Sequence, residues 1–100
     1  MGHSLKAATF LMESRIAEAA DGDVEALYAL GVAYSAGADG ADLDLIEAHK
    51  WFNLAALNGS TEAQECRAEI ADSMSAREIA EAQRQARAWL SATSIHRIAA

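Results

Sequence analysis

Apolar residues recur along this chain at the helical period of about 3.6 residues, and capping residues fall between the stripes. Ala26, Leu27, Leu30, Gly31 and Tyr34 share one stripe. That stripe predicts a helix capped by Asp21 or Asp23, running to about Ser35 and stopped by Gly37. Ala48, Trp51, Phe52 and Ala55 form a second stripe. Its helix starts near Asp44 and ends at the helix-stop pair Asn58-Gly59. Ser60 caps a third helix that stops near Ser73, with Glu62 or Ala63 where a partial capping box sits. Ser75 is followed three residues on by Glu78, a full capping-box pattern. The helix it opens runs to about Ser91 and carries Ile79, Ala82, Ala86 and Leu90 on its stripe. An earlier helix, about Leu5 to Ala20, precedes these four. The pattern therefore predicts an all-α chain of roughly five helices.

The stripes are not independent of one another. Gly22-Asp23-Val24-Glu25-Ala26 returns as Gly59-Ser60-Thr61-Glu62-Ala63, at a spacing of 37. Glu47-Ala48 returns as Glu81-Ala82, at a spacing of 34. Periods in the mid-thirties belong to stacked helix–turn–helix units. The second copy is poorer: Leu30 becomes Arg67 and Tyr34 becomes Ala71. Losing two apolar anchors is what a terminal, capping repeat requires, because its outer face meets water. The expected organisation is one domain, with an N-terminal helix at 5–21, a first repeat at 22–58, a degenerate capping repeat at 59–92 and a tail at 93–100.

Composition agrees with helix and narrows the function. The 100 residues contain no proline, and 52% are apolar, with alanine, the best helix former, prominent among them. The formal charge is −7, unevenly spread. Between Glu13 and Asp72 there are thirteen acids against Arg15, Lys50 and Arg67, whereas four arginines follow from Arg77 onward. An acidic body lacks the clustered cations that hold phosphate backbones or anionic lipid. Nucleic acid and membrane surfaces are therefore not expected partners. No apolar run approaches the roughly 20 residues that span a bilayer, and no signal peptide is evident. With Cys66 alone, no internal disulfide forms, and a cytoplasmic location is favoured.

Read from Ala26, the chain shows Leu30-Gly31, Tyr34, Gly37, Asp44, Ala48, Trp51-Phe52, Ala55-Ala56, Gly59 and Ala63 in order. This multi-point pattern resembles the Sel-one-like repeat (SLR), a relative of the tetratricopeptide repeat, over about residues 22 to 63. The loop after Gly37 is one residue longer than the usual pattern. Asp39 stands where a second glycine is common, and Ala41 replaces a typical valine. The paired cysteines of secreted members are missing. The resemblance implies a right-handed αα-hairpin superhelix of about two repeats, acting as a non-enzymatic adaptor that binds a protein or peptide on its inner face.

If the first helix of each hairpin lines that concave face, as in related solenoids, the residues opposite the core stripe are Tyr28, Val32 and Ser35. Their equivalents on the next such helix are Glu65, Glu69 and Asp72. An apolar-aromatic patch beside three carboxylates suits a peptide with one hydrophobic anchor and basic neighbours. The competing reading packs Tyr28 and Val32 on the N-terminal helix. A second function is homo-oligomerisation through the terminal helices, which carry Phe10, Leu11, Trp89, Ile95 and Ile98. Enzymatic constellations are not found: His3, His49 and His96 lack metal-ligand spacing, and no phosphate loop or nucleophile elbow occurs. Cys66 is expected to pack as a small apolar group. Asp39, Asp42 and Asp44 lack the alternation and terminal Glu of a calcium loop, so Asp44 is expected to cap a helix. No cofactor or metal is expected.

Overall fold

Each of the last four helices begins at a side-chain cap that the sequence supplies. The computed structural model describes residues 2–99, with side chains described over 6–93. It contains α1 (Gly2–Ala20), α2 (Val24–Ala36), α3 (Leu45–Leu57), α4 (Thr61–Ala71) and α5 (Ala76–Ala99), and no strand among the described residues. The all-α expectation is met. Asp23, Asp44 and Ser60 each accept a hydrogen bond from the backbone N–H three residues on, at 3.1 Å. Of the two candidates for the α2 cap, Asp23 is the one used. Ser75 and Glu78 close the reciprocal box: the Glu78 N–H donates to Ser75 Oγ at 3.1 Å, and the Ser75 N–H donates to Glu78 Oε1 at 2.8 Å. The final helix does not stop near Ser91. It continues to Ala99, through the stretch expected to be a tail, and Thr93 is buried in it. Nothing between Ser91 and Ala99 breaks a helix, since glycine and proline are both absent there.

Gly37 ends α2 in the left-handed conformation (φ 67°). The next amide, Ala38 N–H, reaches back to the Ala33 carbonyl at 3.0 Å, a six-to-one closure that needs a residue free of Cβ strain. The loop then folds back onto earlier structure. The Asp44 N–H donates to the Tyr34 carbonyl at 3.0 Å, and Arg15 on α1 pairs with Asp39 at 3.3 Å. Asp39 itself takes a positive φ of 56°, the conformation a glycine would supply. Aspartate is among the few other residues that visit it readily.

The helix order explains the core. α3 is central, packing against α2, α4 and α5; α1 packs on α2, and α2 also touches α4. Leu27 and Leu30 from α2 meet Phe52, Leu54 and Trp51 from α3, all of them buried. Gly31 permits the closest approach: a Cβ there would lie 2.5 Å from Cε1 of Phe52. The Phe52 ring therefore sits directly on the α2 backbone.

α4 and α5 lack this device. At the repeat spacings, Gly31 corresponds to Ala68, which is exposed, and Phe52 to Ala86. With no ring to seat in a glycine notch, α4 and α5 each pack chiefly on α3 rather than on each other. Ala82 and Ala86 are both buried, and Trp89 meets Trp51 edge-on with ring centroids 4.8 Å apart. Trp51 is further fixed by donating Nε1–H to Glu47 at 3.0 Å, while Lys50 lies 4.6 Å above its ring.

Candidate partner-binding face

α2 and α4 lie side by side because both rest on α3. Their meeting point is Tyr28. Its ring packs on Phe52 with centroids 5.8 Å apart, and its hydroxyl lies 3.9 Å from Cys66 Sγ on α4. Tyr28 is thus held by α3 and α4. Cys66 is half-buried and fills the junction between α2 and α4.

Beside Tyr28 the two helix starts enclose a cleft of about 200 Å³. Val24 and Glu25 line it from α2, Asn58 and Ser60 from the turn, and Glu62 from α4. Its charged lining is wholly acidic. Contact with the Cys66 sulfur, then burial, then the Glu62 and Glu25 carboxylates hold the Tyr28 hydroxyl above the usual value of 10. The phenol therefore remains a neutral donor and acceptor, in a negative local potential.

The six residues expected on the face fall into two groups. Tyr28 lines the cleft, Val32 is 39% exposed, and Ser35 spends its hydroxyl on the Val32 carbonyl at 2.9 Å. Glu65, Glu69 and Asp72 are exposed along α4. Among the described residues no hydrogen bond or ion pair joins the second group to the first. The α4 carboxylate that does act on Tyr28 is Glu62, with Glu25 from α2. Neither was among the expected face residues, although a signal existed: they occupy the same position in the two copies, 37 residues apart.

The terminal residues proposed for self-association also divide. Phe10 is 73% exposed and Leu11 38%, so α1 presents an apolar spot. Trp89 is turned inward on Trp51, and Leu90 packs against the same core. Ile95 and Ile98 lie outside the described side chains. Among the described residues, no group of three or more His, Cys, Asp or Glu is placed to hold a metal, and no helix is long and apolar enough to cross a membrane.

Comparison with protein-family models finds no match, and neither curated proteins nor solved structures yield a relative.

Proposed function

We propose that this chain is a short α-solenoid of the Sel-one-like type, working as a non-enzymatic module that binds a protein or peptide partner across α2 and α4. The Tyr28 cleft carries this reading: it joins the first helices of the two units and sets two carboxylates around an aromatic hydroxyl. The α2–α3 hairpin locked by Gly31 and Phe52, with α4 stacked beside α2, supports the solenoid assignment. A lysine or arginine side chain of the partner fits the cleft, its cation between Glu25 and Glu62 and its aliphatic stem along Tyr28. Val32 offers the neighbouring apolar contact, and the exposed Glu65, Glu69 and Asp72 extend the acidic track for further basic residues.

The test is a random-peptide display selection against the whole chain. The expected consensus contains one or more basic residues beside an apolar anchor. Glu25→Lys and Glu62→Lys abolish binding of the selected peptides, and Glu65→Lys with Glu69→Lys weakens it. Acidic or charge-neutral winners, or winners indifferent to all four substitutions, sink the assignment.

A second reading, a homo-oligomer assembled through its ends, is favoured by the exposure of Phe10 and Leu11 on α1. Light scattering over a wide concentration range decides it. Concentration-dependent mass that Phe10→Ser abolishes supports this reading, and a strict monomer excludes it.

A further inference from the structure

Nδ1 of His49 is buried without a hydrogen-bond partner, on a side chain only 4% exposed. His49 stands one helical turn before Asn53, and Asn53 accepts a hydrogen bond from Arg67 of α4. The imidazole is thus enclosed where α3 supports α4, with a guanidinium as its charged neighbour. No other charge compensates. α2 turns Leu27, Leu30 and Gly31 toward α3, and α5 turns Ala82 and Ala86, none of them ionisable. On α3 itself Glu47 is paired with Lys50 at 2.9 Å, and on α5 Glu81 is taken by Arg84 at 2.6 Å. Among the described residues no carboxylate pairs with His49.

We propose that His49 is a proton-sensitive latch: protonated, it loosens α4 from α3 and so disassembles the α2–α4 face. A neutral imidazole is tolerated there at the cost of one unsatisfied nitrogen, but an imidazolium would be a buried cation beside Arg67. Burial first, and the Arg67 guanidinium second, push the His49 pKa below its ordinary 6.5. The unfolded chain therefore binds the proton more readily than the folded one. Stability from this group is complete above about pH 6.5 and falls as pH drops from there toward the lowered folded value. The consequence for partner binding rests on the function proposed above; the latch itself does not.

A histidine-resolved NMR titration of the whole chain tests it without any partner. His49 should titrate below 6.5, and α4 amides, with those of α2 around Tyr28 that α4 covers, should shift or broaden with the same midpoint while α1 amides do not. In parallel, the urea midpoint should drop between about pH 7.5 and about pH 5.5 in the parent chain, and much less in His49→Leu. A His49 midpoint at or above 6.5, or α4 amides that ignore it, overturns the proposal. The titration needs only the parent chain, so it stands even where His49→Leu does not fold. A positive titration with no basic-peptide binding would keep the latch and remove the proposed function.

Discussion

Gly31→Ala puts a methyl group 2.5 Å from Cε1 of Phe52 and 2.9 Å from Cγ, well inside van der Waals contact. The ring has little room to retreat, being 1% exposed and packed on Tyr28. Overpacking of this kind costs about 1–3 kcal/mol. Against it, alanine in a helix interior is favoured over glycine by roughly 0.8–1.0 kcal/mol. The net expectation is a loss of about 1 kcal/mol, which lowers Tm by roughly 4–8 °C in a domain this small. The double substitution separates the two effects. In a Phe52→Leu background the clash is relieved, so Gly31→Ala should become stabilising by nearly the full helix-propensity gain. Urea denaturation of the four chains gives the coupling energy directly. Were Gly31→Ala to stabilise the parent chain as much as it does the Phe52→Leu chain, the ring would not rest on α2 and the account of the first hairpin would fail.

Other substitutions probe the second unit and the face. Ser75→Ala removes half of the capping box and should cost about 1 kcal/mol in urea melts, with Glu78→Ala costing a similar amount. Trp89→Ala should cost about 2 kcal/mol, less than the roughly 3–5 of a fully buried tryptophan because Trp89 is only half-buried. Hydrogen exchange should then rise along α5 before α2, and uniform loss across the chain would contradict α5 docking through Trp89. Phe10→Ser should leave stability within about 0.5 kcal/mol, since that ring is mostly in water.

The helices were legible because every signal for them is local. Asp23, Asp44, Ser60 and Ser75 cap where their sequence context says they should, and Gly37 stops α2. The end of α5 was not legible, because its chain simply lacks a stop signal after Ser91 and polar residues there are compatible with helix. The sparse packing of α4 on α5 is likewise a tertiary effect. It depends on what Ala68 and Ala86 fail to offer each other, which no periodicity reports. Tyr28 lines the cleft between α2 and α4, but the carboxylates beside it are Glu25 and Glu62, the latter about one helical turn before the expected Glu65. Stripe arithmetic gives the side of a helix but not how the next helix is seated against it. As α4 is seated, Cys66 lies against Tyr28 and Glu62 lines the cleft, while Glu65 does not.

The central claim is that cationic partner side chains enter between Glu25 and Glu62. A titration of the isotope-labelled chain with a short arginine- and lysine-containing peptide, read amide by amide, tests it most directly. The account predicts saturable shifts clustered on Glu25, Tyr28, Ser60 and Glu62, lost in the Glu25→Gln/Glu62→Gln chain and absent with a matched acidic peptide. Shifts centred on α1 or α5, or identical shifts in the doubly substituted chain, would contradict it.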